Sequence, residues 1–187
     1  MPIVKRNVKL SVAEYLEGEQ YSDIRHEYER GEVVAMVGAS RNHGRLVLNI
    51  ALPLRQHLDE SPCEVFVTDM KVHVDDCFFY PDVVVGCDAD DDHDFYLERP
   101  VLIVEVLSET TAQRDRTVKR LAYQRIPTLQ EYLLLEQDRL RAELYRRGEA
   151  GWDLALYGPG EQIRLASIDL ALALDHLYRG VRLKSED

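Results

Sequence analysis

The longest apolar run of the sequence is Val101-Leu102-Ile103-Val104-Glu105-Val106-Leu107. Its aliphatic residues continue without polar alternation, which indicates a strand buried on both faces, as at the centre of a sheet flanked by helices. Alternation along a strand places Val101, Ile103 and Leu107 on the same face as Glu105. The run therefore predicts a carboxylate in the middle of a core strand.

Glu105 needs a partner in such a position. An ionised carboxylate is costly to bury alone, so it must be paired, protonated or bound to a metal ion. One explanation is an ion pair with a basic residue of the following helix. A carboxylate in a core strand is uncommon, however, and this favours a functional role.

A second acid follows a proline at the start of another apolar run, in Phe79-Tyr80-Pro81-Asp82-Val83-Val84-Val85. Pro81 cannot donate to a strand ladder, so it predicts a sheet edge or a bulge that re-aims the side chain of Asp82. The alternative is an ordinary turn or capping aspartate. If the two strands are neighbours, both carboxylates meet at one point, and two such ligands suit Mg²⁺.

The next segment predicts a helix from about Thr111 to Ile126, ended by Pro127. Lys119 on this helix could orient an attacking water or neutralise phosphate charge beside a metal ion. The alternative is a weak pair between Asp115 and Lys119 at i,i+4 on an exposed face. The helix is locally basic, with Arg114, Arg116, Arg120 and Arg125 as its further cations.

Upstream, Ser11 and Glu14 form a predicted capping box that begins a helix ending near Gly18. A hairpin follows, with a turn at Arg30-Gly31. The segment after Gly38 predicts a longer helix that is kinked or broken at Pro53.

The remaining segments alternate between strand and loop patterns, and their order indicates a mixed α/β sheet. An acid-rich surface loop is predicted over 87–99. Strands are predicted at 24–28, 32–37, 63–68, 71–74, 78–86, 131–135, 139–146 and 151–157, and a short strand with helical turns at 163–178.

The composition is that of a folded protein of ordinary size. The chain has 187 residues, 45% of them hydrophobic, with 23 Lys and Arg against 34 Asp and Glu and a net charge of −11. One domain over 1–187 is expected, with a core at about 20–136 and a strand meander at about 137–187. The acidic balance argues against an indiscriminate nucleic-acid coat but leaves room for a local basic cleft.

The cysteines and the N-terminal residues predict a cytoplasmic protein. Cys63, Cys77 and Cys87 are too few and too irregular for a disulfide framework, which favours a reducing compartment. With His73 and His93 they match no zinc spacing. Met1–Arg6 lacks the features of a signal peptide, and no apolar run is long enough for a bilayer, so no membrane contact is expected.

Taken in order, these motifs resemble the PD-(D/E)XK restriction-endonuclease-like superfamily and, within it, the Uma-two family of restriction-endonuclease-like proteins. The resemblance extends from about Ser11 to Leu177. The stretches that carry it are Tyr28–Val34, His43, Tyr80–Val85, Glu105–Ser108, Asp115-Arg116 with Lys119, and Tyr123–Tyr132.

The resemblance implies an α/β fold, a restriction-endonuclease-like mixed β-sheet flanked by helices with a C-terminal strand meander. It implies that Asp82 and Glu105 bind a metal ion, Mg²⁺ or alternatively Mn²⁺, together with the backbone carbonyl of Val106. Glu32 would be a further acid near the same cleft. His43 would either contact substrate or cap and pack its helix.

One position departs from the superfamily pattern, which has lysine where this chain has Leu107. Lys119 on the next helix is the candidate substitute. The resemblance then implies a Mg²⁺-dependent endonuclease, a hydrolase of DNA, that works as a homodimer, with Arg114, Arg116 and Arg120 contacting phosphates. The alternative is an inactive relative that keeps the fold as a binding or regulatory module.

Overall fold

A computed structural model describes residues 9–184, so Met1–Arg6, where no signal peptide is predicted, lies outside the described part. The helices are α1 (Val12–Tyr21), α2 (Arg41–His57), α3 (Ala112–Arg114), α4 (Arg120–Tyr123) and α5 (Leu174–Leu177), with a π-helical turn at Asp115–Lys119 and a 3-10 turn at Ala166–Ile168. The strands are β1 (His26–Glu29), β2 (Glu32–Ala35), β3 (Glu64–Val67), β4 (Lys71–Val74), β5 (Cys77–Phe79), β6 (Val83–Gly86), β7 (Tyr96–Leu97), β8 (Pro100–Leu107), β9 (Glu131–Glu136), β10 (Ala142–Gly148), β11 (Gly151–Tyr157), β12 (Gln162–Leu165) and β13 (Leu170–Ala173).

The aliphatic strand β8 lies inside a six-stranded sheet of order β11-β10-β9-β8-β6-β3. β8 and β9 are parallel and are joined by the helical segment 112–123, whereas the other neighbours are antiparallel. The predicted central strand, crossover helix and C-terminal meander are thereby confirmed.

The two faces of this sheet carry different layers. One face packs against α2, the β12-β13 hairpin and α5. The other packs against α4 and a five-stranded sheet of order β2-β1-β5-β4-β7. Alternating residues of β8 contribute to both cores, with Leu102 and Val104 on the first face and Ile103 and Leu107 on the second.

Two predictions about strands were wrong in detail. The segment 78–86 forms two strands in different sheets, because the chain crosses from β5 to β6 through Tyr80-Pro81-Asp82. Val101 does not share the face of Glu105, because the pairing of β6 and β8 is irregular between Val85 and Gly86. The extra residue turns Val101 toward the α2 side.

The helices also differ from their predicted bounds. α1 keeps the predicted capping box but continues to Tyr21. α2 is not broken at Pro53, which lies inside it. An interior proline costs about 3 kcal/mol, whereas each buried aliphatic side chain stabilises by about 1.5–3 kcal/mol. The buried residues of α2 are Leu46, Val47, Ile50 and Leu54, and together they outweigh the proline.

Cys63 and Cys87 form a disulfide, although the cysteine count and spacing predicted no disulfide framework. Strands β3 and β6 are antiparallel and pair Glu64 with Gly86. Cys63, which precedes Glu64, therefore lies next to Cys87, which follows Gly86. Their Cα atoms are 4.0 Å apart. Cys77 is buried and free. Because the structure contains this bond, the cysteines no longer favour a reducing compartment.

Among residues 9–184, every helix is too short or too polar to pass through a bilayer.

Candidate active site

The first two predicted site residues lie side by side. Val83 of β6 is paired with Val104 of β8, and one further step in this antiparallel register places Asp82 opposite Glu105. The Oδ2 atom of Asp82 accepts a hydrogen bond of 2.7 Å from the backbone N–H of Val106. Both carboxylates are buried, with 9% and 4% of the residue exposed. The sheet therefore brings together the acids that the sequence placed 23 residues apart.

Lys119 completes this arrangement from the crossover segment. Its Nζ atom lies 3.1 Å from Glu105 Oε1, 2.7 Å from Glu27 Oε1 and 3.3 Å from Asp115 Oδ1. The lysine is only 6% exposed. The predicted i,i+4 contact with Asp115 is thus present, but it is buried and is one of three. Lys119 is a core cation in contact with Glu105.

A π-helical turn holds Lys119 and Asp115 toward the sheet. The turn covers Asp115–Lys119, and the N–H of Arg120 donates to the carbonyl of Asp115 in the wider spacing of a π-helix. The hydroxyl of Tyr132 on β9 donates to the same carbonyl at 3.1 Å. Such turns are rare in proteins, and those that occur frequently lie at functional sites.

Glu27 is the site residue that sequence reasoning missed. It lies on β1, and besides Lys119 it contacts the Tyr80 backbone N–H at 3.4 Å and Arg114 Nε at 3.4 Å. Glu32, the acid that was predicted instead, is exposed at the start of β2 and is paired in register with Glu29. In the sequence, Glu27 and Glu29 look like the solvent face of a hairpin. Only the pairing of β1 with β5 reveals that Glu27 is buried.

His43 contacts Asp82 rather than only capping its own helix. Its Nε2 atom lies 2.9 Å from Asp82 Oδ1, and its backbone N–H donates to the N-cap Ser40 hydroxyl at 3.1 Å. Burial opposes the charged imidazolium, but the hydrogen bond and charge of Asp82 outweigh it and raise the pKa of His43. Both oxygens of Asp82 are therefore held, one by His43 and one by Val106.

The predicted phosphate contacts on the crossover segment are engaged within the protein. Arg114 contacts Glu27 and also Glu29, at 3.1 Å. Arg116 lies 2.9 Å from Glu136 and 2.7 Å from Glu143. Arg120 donates to the carbonyl of Arg116 and lies over the ring of Tyr145. The positive charges of Arg114 and Arg116 are thus offset by neighbouring carboxylates.

The buried acids of the site repel one another. Burial raises the pKa of Glu105 well above its ordinary value, and the charges of Asp115, Asp82 and Glu27 add to this against the attraction of Lys119. Burial opposes the charge of Lys119, but Glu105, Glu27 and Asp115 outweigh it and raise its pKa. Lys119 is therefore a permanent cation at neutral pH.

The donor set fits a small hard cation held by few protein ligands. Asp82 and Glu105 supply carboxylate oxygens from neighbouring strands. Mg²⁺ prefers such oxygen ligands and usually keeps several waters. Within 9–184, no three His, Cys, Asp or Glu side chains are grouped to hold a metal ion. The site therefore fits a cation that is completed by water and substrate oxygens.

The mixed sheet, its helices and its C-terminal meander form an α/β fold of the restriction-endonuclease-like kind. It is similar to the crystal structure of a "putative nuclease belonging to DUF820" from Anabaena variabilis, with a TM-score of 0.76. The likeness covers 91% of this chain and 98% of that one at 16% identity, and it shows the fold alone.

Residues 12–175 match the model of the Uma2 (Uma-two) family, whose description is "Putative restriction endonuclease", and the chain belongs to this family. Two relatives come from a Synechocystis strain. The protein slr1290 is 36% identical over 92% of this chain and 93% of its own length. The protein sll1609 is 35% identical over 89% of this chain and 98% of its own length. The resemblance found in the sequence is confirmed.

Proposed function

We propose that this protein is a metal-dependent endonuclease that hydrolyses phosphodiester bonds in DNA. The observation that carries the proposal is the distance of 3.1 Å between Lys119 Nζ and Glu105 Oε1. Leu107, at the position where the superfamily has lysine, is buried in the core against the five-stranded sheet. Lys119 reaches Glu105 from the crossover segment instead, so a lysine is available beside the acid pair.

Asp82, Glu105 and the carbonyl of Val106 would hold the cation, Mg²⁺ or Mn²⁺. When bound, such an ion polarises the scissile phosphodiester and activates a water. His43 and the Val106 N–H orient Asp82, which leaves little rotamer freedom to be lost when substrate binds.

Lys119 acts as a fixed positive charge and not as a base, because its raised pKa keeps it protonated. Preorganised cations stabilise the charge that builds on a phosphate during hydrolysis. Glu27 and Asp115 hold the ammonium from two sides. In this proposal they position Lys119 and do not touch the substrate.

The proposal includes one domain, with the core at about 20–136 and the meander at about 137–187.

The proposal also includes a homodimer, in which each copy would cut one of the two DNA strands. The outer edges of β2 and β11 are unpaired within 9–184. Free edges of this kind are surfaces on which a second copy can add.

A second candidate is an inactive binding or regulatory module. Glu105 is already ion-paired with Lys119, and both oxygens of Asp82 are held by groups of the protein. This cluster is complete without a metal ion, which favours the second candidate if no cleavage is found.

The test compares wild type with Glu105→Gln on supercoiled plasmid at low salt, with Mg²⁺, Mn²⁺ or EDTA. We expect metal-dependent nicking by wild type. The nicking rate of the variant should be lower by about 10²-fold or more, because the variant lacks a charged group that acts in the transition state. Glu143→Gln is the matched control. Glu143 is also a buried strand glutamate, but it is paired with Arg116.

Circular dichroism melting shows whether each variant is folded. An unchanged nicking rate in folded Glu105→Gln would place the catalytic centre elsewhere. If folded wild type does not nick DNA with either metal, the endonuclease proposal fails and the binding module replaces it.

A further inference from the structure

A cleft lined by polar and charged residues opens beyond the carboxyl ends of the parallel strands β8 and β9, beside the first turn of α2. Its charged residues are Arg41, Arg45, Glu109, Asp138, Arg182 and Lys184. Glu109 and Asp138 each come two residues after a parallel strand ends. In open α/β sheets, this is the edge at which ligands bind.

Among the described residues, the arginines of this cleft have no carboxylate partner, unlike Arg114 and Arg116 of the crossover segment. Among residues 9–184, no carboxylate forms a salt bridge with Arg41, Arg45 or Arg182, whereas Lys184 contacts Glu109 at 2.5 Å and Asp138 at 2.6 Å. The two acids of the cleft are thus already matched with Lys184. With the three arginines the charged residues of the cleft still sum to a net charge of +2, on a protein with a net charge of −11.

The placement of Arg41 is unfavourable for the helix itself. Arg41 is the first residue of α2 and Arg45 lies one turn further, and the first turn contains no acid. The positive end of the helix dipole disfavours cations there. A local conflict of this kind is typical of a functional site, and an anion in the cleft would compensate it.

The backbone of the cleft is held in place without using the guanidinium groups. Asn42 Nδ2 donates to the carbonyls of Arg182 at 2.7 Å and of Gln137 at 3.2 Å, and Asn42 Oδ1 accepts from the Arg182 N–H at 3.1 Å. Ser40 Oγ donates to Gln137 Oε1 at 2.7 Å. These bonds fix the C-terminal segment opposite α2, so Arg182 faces the two helix arginines across a formed cleft.

The cleft is close to the acid pair along the chain. Glu109 follows Glu105 by four residues, which span at most about 14 Å when extended. His43, between Arg41 and Arg45 in α2, contacts Asp82. Base pairs of a duplex are spaced by about 3.4 Å, so the separation of Glu105 and Glu109 corresponds to at most about four base steps.

We propose that Arg41, Arg45 and Arg182 bind the phosphodiester backbone of DNA next to the bond that is cut. This rests on the proposed function for its substrate, and it replaces Arg114 and Arg116 as the phosphate contacts. The chemistry that recognises the ligand is that of a phosphodiester between three guanidinium groups.

The test is fluorescence anisotropy of a short labelled DNA duplex against Arg41→Gln/Arg45→Gln/Arg182→Gln over a series of salt concentrations, in EDTA so that no DNA is cut. The matched control is Arg55→Gln/Arg99→Gln/Arg164→Gln. It removes the same charge from exposed arginines that are paired with Asp59, Asp88 and Asp169.

We expect the salt slope of log K to fall by about 0.9 for each lost phosphate contact in the cleft variant, and affinity to fall at least about tenfold at low salt. The control should keep the wild-type slope. Equal slopes and affinities in the two folded triple variants would overturn the inference. The inference would also be overturned if the cleft variant lost binding of inorganic phosphate but kept the duplex affinity of the wild type, since the ligand of the cleft would then be a free anion.

Plasmid nicking separates this inference from the proposed function. If wild type nicks plasmid but the cleft variant binds DNA like the control, only the phosphate cleft is wrong. If wild type never nicks plasmid but duplex binding depends on the cleft, the cleft stands and the nuclease fails. If wild type binds no duplex, the cleft inference is overturned.

Discussion

Lys119 lies in an environment with more negative than positive charge. Three carboxylate oxygens lie within 3.3 Å of its ammonium group. One of them belongs to Glu27, which Arg114 also contacts, so Glu27 joins the two cations of the crossover segment. In a buried network of this kind each partner holds the others in place. Glu27 therefore belongs to the support of the site although it lies on a different sheet from Glu105.

We predict that Glu27→Gln lowers the free energy of unfolding by about 1–3 kcal/mol, because a buried charged partner is lost. It should also slow nicking, because Lys119 loses its shortest contact. Glu29→Gln is the matched control, since Glu29 contacts Arg114 but not Lys119. Urea unfolding and plasmid nicking measure both effects. Equal nicking by the two variants would contradict a role for Glu27 in positioning Lys119.

At the scale of elements, the site depends on connections between layers. Tyr80-Pro81-Asp82 carries the chain from β5 in one sheet to β6 in the other. The Tyr80 N–H donates to Glu27, and Asp82 accepts from Val106, so the crossing contacts both sheets. The π-helical turn then brings Lys119 to the same place from the crossover segment. Two irregular pieces of backbone, the crossing and the π-helical turn, thus bring the side chains of the site together.

The edge of the six-stranded sheet is held by the disulfide between Cys63 and Cys87, which encloses a sequence separation of 24 residues. A bond closing a loop of this length stabilises by about 3 kcal/mol. We predict that Cys63→Ser/Cys87→Ser loses about this much in urea unfolding and that dithiothreitol has the same effect on wild type. Cys77→Ala is the control, because Cys77 is free and its variant keeps the disulfide.

Thiol counting in denaturant checks the bond directly. The oxidised protein should contain one reactive thiol and the reduced protein all three of its cysteines. Three thiols in denatured protein that has never been reduced would show that the bond is not formed.

At the scale of the whole molecule, the structure buries many aromatic hydroxyls between its layers. Burial raises the pKa values of Tyr15, Tyr132 and Tyr178. Their hydroxyls donate to the backbone carbonyls of His26, Asp115 and Glu136 respectively. The protonated tyrosines therefore belong to the native packing of three different parts of the fold.

This predicts a loss of stability in alkali. A tyrosine whose folded pKa is raised above the unfolded value of about 10 binds its proton more tightly in the native state. Its contribution is complete below about pH 10 and is lost as the pH rises further. We expect part of the absorbance change at 295 nm to coincide with unfolding by circular dichroism. In urea, all ten tyrosines should ionise together near pH 10. Complete ionisation of folded protein near pH 10 would contradict the prediction.

Local chemistry suffices to predict much of the fold. The aliphatic residues around Glu105 indicate a central strand because only burial on both faces accommodates them. Ser11 and Glu14 begin α1 through bonds to residues three positions away. Arg30 and Gly31 form the hairpin turn with positive φ angles of 50° and 95°. The order of these segments, with Asp82, Glu105 and Lys119 in sequence, also sufficed to recognise the family.

The partners of the charged residues were decided by the tertiary structure. Glu27 and Lys119, Cys63 and Cys87, and Arg116 and Glu143 are far apart in sequence but adjacent in the fold. Their contacts depend on which strands pair and in which register, and a shift of one residue would turn each side chain to the opposite face. For this reason the sequence could predict the acid pair only on the condition that two strands are neighbours. It could not distinguish arginines that are free for a ligand from those that neutralise a neighbouring acid.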